Sequence, residues 1–483
     1  MVQLTQMNSW KELERHSHYY PANHAKTISQ TLSGANITLE YTTPYIDDIT
    51  TNLLLQLAYE CQLESMIEAL FLGEKVNTAE RKPALHTALR MPCHETLFIN
   101  GRNIISDVSD AQEQMREISN KIRAGQWLGY SNKPITDIVN IGIGGSQLGP
   151  AFCIHAFAEQ AISSLAYHFI SDIDPIAFTR ITNKLNPETT LFIISSKSFT
   201  TTETLYNLKK ALAWVNQPKD IEKHFIAITA YTERANEFGI KNTLPIWDWV
   251  GGRYSICSAI NLITCIAVGF EAFSEFLQGA YEMDEHFRHT PFRHNLPVQL
   301  ALLGIWTNNF LKIHQLLLLT YGSHLDYFTS YIQQLDMESN GKSFDKQGRA
   351  VNYATGPIIW GGSANQAQHS YYQLLCQGTH RIAVDLISVS SHHGLPINQL
   401  CLAQKESLSE GFYDRHNPNS FVPGAIPINH IRLKDNSPRT LGSLIALYEH
   451  KIYVQSIIWH INAFDQPGVE SSKRLLNKSM SYA

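Results

Sequence analysis

Amides, carboxylates and a lysine crowd into Gln333–Ser343 (Gln-Gln-Leu-Asp-Met-Glu-Ser-Asn-Gly-Lys-Ser), with Gly341 near its end to turn the chain. A carboxylate within reach of a carbonyl substrate can remove the proton beside that carbonyl when its position and pKa are tuned. Glu338 is the candidate for that task. The same stretch would also serve to close a helix, with Glu338 on a solvated face. The choice between the two depends on what else the chain carries.

Four further stretches hold chemical groups. Gly142–Pro150 (Gly-Ile-Gly-Gly-Ser-Gln-Leu-Gly-Pro) follows an apolar run and opens a helix. Glycines there, Gly145 among them, let a backbone approach a ligand, and free N–H groups at a helix start favour an anion. Gln147 stands where a dinucleotide fingerprint needs glycine, and no Gly-Lys-Ser/Thr follows to make a P-loop. Ser195–Thr204 surrounds Lys197 with hydroxyls, among them Ser196, Ser198 and Thr201. Such a turn can cap a helix, hold a phosphate monoester, or do both. Trp247–Ser255 sets Arg253 behind two glycines, where it could approach a developing oxyanion or pair with a nearby carboxylate. Phe464–Lys473 offers Gln466 and Lys473, and His369 is a remaining acid–base candidate.

The elements that must hold these groups follow from hydrophobic spacing. Residues 1–105 read as mostly helical, with apolar residues three and four apart in Leu53–Ala58 and Cys61–Leu72. Asn77–Arg90 is rich in polar groups and reads as a helix broken at Pro83, with Glu80, Arg81 and Arg90 at its surface. From about residue 106, apolar runs at Thr136–Ile143, Thr190–Ile194, Phe225–Ala230 and Leu244–Val250 alternate with helical segments, the pattern of a parallel sheet covered on both faces. A helical stretch is expected from Val298 to Leu319, then strands near Gly356–Trp360 and Arg381–Val389, then a long apolar helix over Leu444–Asn462. His289–Pro297 is the best boundary candidate. The division is therefore 1–105, 106–290 and 291–483.

Composition excludes several classes. The chain has 483 residues, 44% hydrophobic and 17% charged, with a net charge of −5. That length and balance fit a folded protein with a large core, and the absence of clustered Lys and Arg argues against nucleic-acid binding. Seven cysteines, odd in number and never spaced Cys-x-x-Cys, suit a reducing compartment and give no zinc knuckle. Met1–Arg15 lacks a signal-peptide core, and no apolar run approaches the ~20 residues needed to cross a bilayer. A cytoplasmic protein, neither membrane-bound nor tied to nucleic acid, is expected.

Taken in this order the motifs resemble the phosphoglucose isomerase (glucose-6-phosphate isomerase) family. Val250–Ser255 and Phe464–Lys473 look like that family's two signatures, and Asp336–Lys342, Ile141–Pro150 and Ser196–Thr204 add to the likeness, which runs from about Asn77 to Lys473. The resemblance implies an α/β fold of two tandem sugar-isomerase (SIS) domains, each a parallel sheet flanked by helices, and a homodimer. It implies a sugar phosphate held at Gly145, Ser146, Ser196, Lys197, Ser198 and Thr201. Glu338 would move a proton between C1 and C2 through a cis-enediol, and Arg253 would stabilise the enediolate. His369, supplied by the partner subunit, and Lys473 would open the ring, while Gln334 and Gln466 would hold hydroxyls. No metal or organic cofactor is implied. Gln147, Ser198, Ser363–Ala367, Gly322–Asp326 and Cys376 depart from the family's usual wording, yet none removes a catalytic group. A sugar-phosphate-sensing regulator, or an isomerase that also accepts mannose 6-phosphate, are the alternatives.

Overall fold

The computed structural model describes residues 3–18, 28–43 and 46–472. Strands β1 (Ile28–Gly34) and β2 (Ile37–Thr43) form a hairpin, and β3 (Phe98–Ile99) and β4 (Arg102–Asn103) a much shorter one. A first sheet contains β5 (Asp137–Ile141), β6 (Ala166–Ile170), β7 (Thr190–Ser195), β8 (Phe225–Thr229) and β9 (Thr243–Pro245). A second contains β10 (Gln315–Thr320), β11 (Ile358–Ser363), β12 (Ala383–Val389) and β13 (Ile428–Leu433).

The first sheet runs β6-β5-β7-β8-β9 and is parallel throughout. Every residue of β7 and β8 is buried, as expected of strands covered by helices on both faces. Ile141 lies level with Ile194, so the chain leaves β5 and β7 side by side. Asn140 ties the two exits together: its Nδ2 donates to the Ser146 carbonyl (3.0 Å) and its Oδ1 accepts from Ser195 Oγ (2.9 Å). The glycine turn and the hydroxyl turn are thus neighbours at the carboxyl end of the sheet, where ligands of open α/β sheets bind.

The second sheet runs β1-β2-β13-β12-β10-β11. Its four later strands are parallel, and the N-terminal hairpin adds two antiparallel strands at the β13 edge. Two expectations change here. The mostly helical start holds for Asn8–Ser17, Asp48–Glu60 and Leu63–Phe71, but residues 28–43 are strand. Their turn puts Ala35 and Asn36 at φ +44° and +64°, the two left-handed residues of a tight hairpin. The helical stretch expected over Val298–Leu319 ends early: Leu296–Ile305 is α-helix and Trp306–Phe310 a π-turn, after which Lys312 at φ +57° releases the chain into β10. Leu316–Leu319 is apolar on both faces because β10 is paired on both edges by β11 and β12 and packs Leu316 and Leu318 into one core cluster and Leu317 and Leu319 into another.

The long apolar helix spans Pro438–Ile458, starting earlier than expected behind Ser437, whose side chain accepts from the Thr440 N–H. Every residue in it except Arg439 is buried. A helix enclosed on all sides belongs at the centre of a large core, and one hydrophobic cluster runs through it from both sheets. Phe270–His289 crosses it so closely that a Cβ on Gly442 would lie 1.9 Å from the Phe276 carbonyl oxygen, and one on Gly279 1.7 Å from that of Arg439. Among the described residues no helix is long and apolar enough to cross a membrane.

Candidate active site

Glu338 closes a π-turn, Gln333–Glu338, which continues the short helix Phe328–Ile332. π-turns inside helices recur at functional sites. Gln334 and Glu338 share one face, and Gln334 Nε2 donates to Glu338 Oε2 (3.0 Å). Arg253 Nη1 stands 3.6 Å from the same oxygen, an ion pair in which Arg253 is 4% and Glu338 22% exposed. The half-buried carboxylate therefore keeps an open side.

Arg253 is fixed by its whole fork. Nε donates to Ser339 Oγ (2.7 Å), Nη1 to Gln466 Oε1 (3.1 Å), and Nη2 to the carbonyls of Ala463 (2.5 Å) and Asp465 (3.1 Å). Tyr254 OH reaches the same Ser339 hydroxyl (3.0 Å). The glycine turn lies against this arginine's backbone. A Cβ on Gly145 would lie 2.0 Å from the Gly252 carbonyl oxygen, and one on Gly144, at φ +58°, 2.8 Å from Gln334 Nε2. Close approach to backbone requires glycine at 145, and the left-handed φ favours it at 144.

Two residues that carried no role in the sequence reading complete the join. Lys342 Nζ donates to the carbonyls of Glu338 (3.0 Å), Ser339 (2.8 Å) and Asn462 (3.1 Å), and lies 3.3 Å from Asp465 Oδ1. Burial, aided by the nearby Arg253 charge, pulls the Lys342 ammonium down to about 8, while Asp465 and Glu338 act to hold it up. The signal was present, since both residues stand inside the quoted motifs, but their mutual contact was not. A cleft of about 660 Å³ opens over this join, lined by Glu338, Lys342, Asp465, Gln466, Thr78 and Lys346 among others.

The hydroxyl turn is pre-folded. Ser196 Oγ accepts from the Phe199 N–H (3.1 Å) and meets Thr201 Oγ1 (3.2 Å), while Ser198 Oγ accepts from the Thr200 N–H (3.3 Å) and hydroxyl (2.9 Å). Phe199 sits at φ +49°, wrapping the turn ahead of the helix Thr202–Val215. Lys197 is directed elsewhere: its Nζ donates to the Val250 carbonyl (2.9 Å). Burial lowers its pKa, against the pull of Glu80 and Asp248. These residues do not line the Glu338 cleft; Gly144, Gly145 and Gln334 connect the two.

Single-chain geometry leaves one predicted residue, His369, apart from this join. His369 caps the short helix Ala364–Gln368 on the surface, with its side chain exposed and outside the cleft. Lys473 lies outside the described residues. Arg90, read as a surface charge, is instead wholly buried: it donates to Asp284 (2.7 and 2.6 Å) and Glu449 (2.6 Å). The helix expected around Pro83 is not formed either, the chain there making an Asn77–Lys82 bridge and then the 3₁₀ turn His86–Arg90. Among the described residues no group of acids, histidines and cysteines could hold a metal ion.

Fold and site together define an α/β protein with two main sheets in which a carboxylate paired to a buried arginine lines a cleft, joined through a glycine turn to a hydroxyl-rich turn at a sheet's carboxyl end. The family model for phosphoglucose isomerase matches residues 40–482. A glucose-6-phosphate isomerase of Legionella pneumophila (strain Lens) is 56% identical over 437 residues, covering 90% of this chain and 88% of that protein. One from Pseudomonas fluorescens (strain Pf0-1) is 44% identical over 476 residues, covering 92% and 86%. The crystal structure of a glucose-6-phosphate isomerase from Chlamydia trachomatis superposes with a TM-score of 0.90 at 31% identity, covering 100% of this chain and 96% of that one. The chain belongs to the phosphoglucose isomerase family.

Proposed function

We propose that this chain interconverts glucose 6-phosphate and fructose 6-phosphate in glycolysis and gluconeogenesis, with Glu338 as the base that carries the proton between C1 and C2. The observation that supports this most is the Glu338 carboxylate, open to the cleft on one side and 3.6 Å from the buried Arg253 guanidinium on the other. Removing a proton beside the carbonyl leaves negative charge on the enediolate oxygens. A rigid, pre-placed cation lowers the cost of that charge without reorganising during the step. Arg253, held by four hydrogen bonds from its three nitrogens, suits that role. Gln334 and Gln466, bonded to the base and the arginine respectively, would hold sugar hydroxyls. The phosphate would sit on the turns of Gly145 and Ser146 and of Ser196, Ser198 and Thr201, with Lys197 behind them.

Ring opening is assigned to Lys473 and to His369 from the second subunit of a homodimer. The exposed side chain of His369, outside its own chain's cleft, supports a shared site. The five buried free thiols support a reducing, cytoplasmic setting.

The test is fructose 6-phosphate turnover by the purified protein, coupled to a glucose-6-phosphate-specific dehydrogenase, beside Glu338→Gln. The parent should turn over, and the variant should lose at least about 10²-fold in kcat. Equal rates would remove Glu338 as the base. Binding without turnover in the parent would favour a sugar-phosphate sensor.

A further inference from the structure

Glu338 is not anchored only on the side that faces Arg253. Asp336, two residues earlier in the same π-turn, points the opposite way, as alternate positions of a helical turn must. It meets Lys451 on the central helix: Lys451 Nζ donates to Asp336 Oδ2 at 2.6 Å, with the two side chains 2% and 0% exposed. The other oxygen, Oδ1, accepts from Asn340 Nδ2 (3.1 Å), whose amide also reaches the Ile452 carbonyl (3.4 Å). The pair is continued into the second sheet. Tyr448, one turn before Lys451, donates to Asp385 Oδ2 on β12 (2.8 Å), and Asn429 on β13 donates to Asp385 Oδ1 (2.8 Å). A buried ion pair of this kind costs much desolvation and adds little to stability compared with apolar side chains of the same volume. Its place directly behind the candidate base calls for a different explanation.

We propose that Lys451, acting through Asp336, is a positioning residue for Glu338: the buried pair fixes the rotation of the π-turn and so aims the carboxylate at its substrate. The inference rests on Glu338 being the base. Without the tether the turn can relax toward ordinary α-helical winding, which shifts the following residues around the axis. Displacing a catalytic group by about 1 Å can cost on the order of 10²-fold in rate. Neither Lys451 nor Asp336 need touch the sugar phosphate, so substrate affinity should scarcely change.

The experiment uses the full chain and four variants: Asp336→Asn, Lys451→Met, the double variant Asp336→Asn/Lys451→Met, and Glu338→Gln as reference. Asp336→Asn keeps the side-chain shape and leaves Asp385 to balance Lys451. The double variant removes both charges of the pair together, with Asp385 still held by Tyr448 and Asn429. Thermal melts and steady-state kinetics are measured on each, below its own transition. The expected result is a kcat about tenfold or more below the parent in every variant that folds, with KM within about threefold. A folded double variant or a folded Asp336→Asn within about twofold of the parent kcat would overturn the proposal, showing the pair to be structural only. A fully active Glu338→Gln is a separate outcome. It would overturn the base assignment itself, and with it the target given to the pair.

Discussion

At the scale of single residues, a buried charge cluster lies outside the residues that line the cleft. Arg90 is enclosed by Asp284 and Glu449, and His450 Nε2 lies 2.6 Å from the same Asp284. One cation facing two carboxylates leaves a surplus negative charge in a dry site. Burial and the Asp284 charge push Glu449 up to about 7, although Arg90 pulls it down, whereas Arg90 and His450 hold Asp284 below its usual value. The folded chain therefore binds a proton at Glu449 that an unfolded chain has already released. The stability this provides is full below the ordinary glutamate range and is lost as pH rises through about 7. Buried histidines such as His286, lowered by burial to about 4, act in the other direction over the same window. The Glu449 contribution must therefore be read as a difference. We expect the melting temperature of the parent, relative to Glu449→Gln, to fall by several degrees between about pH 4.5 and 7. A pH-independent difference between the two proteins would reject the assignment.

At the scale of elements, the site is held between pieces that are rigid for separate reasons. The β5 and β7 exits are locked by Asn140, the Arg253 loop by its own guanidinium, and the Glu338 turn by Lys342 on one side and Lys451 on the other. The Glu338 turn itself rests, through Lys451 and Asn340, on the helix Pro438–Ile458. Its fit against Phe270–His289 depends on backbone contact at Gly442, where a methyl group would meet the Phe276 carbonyl oxygen at 1.9 Å. Backbone cannot move aside as a side-chain tip can. Gly442→Ala should therefore force the helices apart and cost at least the roughly 1–3 kcal/mol typical of overpacking, seen as a lower midpoint in urea. An unchanged midpoint would mean that this crossing is softer than its geometry implies.

At the scale of the whole molecule, one chain brings Arg253, Gln334, Glu338 and Gln466 together but leaves His369 on its surface. If a site is completed by the second subunit, two defective proteins can repair each other. A hybrid dimer of His369→Ala and Glu338→Gln chains has one site carrying both substitutions and one carrying neither. Hybrids isolated with two affinity tags should regain about half the parent kcat per dimer, on the expectation that sites act independently. Hybrids no more active than either homodimer would place His369 in its own chain's site, or outside the reaction.

The sequence by itself determined what the local physics of the chain could encode. Parallel strands buried on both faces are continuous apolar runs, so β5, β7, β8 and β12 were legible within a few residues. The chemical groups were legible because glycine turns, hydroxyl turns and the Glu338 segment each keep their residue types within a short span. Tertiary structure alone decided the rest. The Leu316–Leu319 run is equally apolar as helix or strand, and only pairing on both edges made it β10. Residues 28–43 became strand because an open edge at β13, almost four hundred residues later, was there to receive β2. Arg90 read as a surface charge because burial without a partner is prohibitive, and Lys451 drew no reading inside the apolar helix. Their partners, Asp284 and Asp336, lie 194 and 115 residues away. Contacts at such separations are chosen by the packed fold, since no local preference of the chain refers to them.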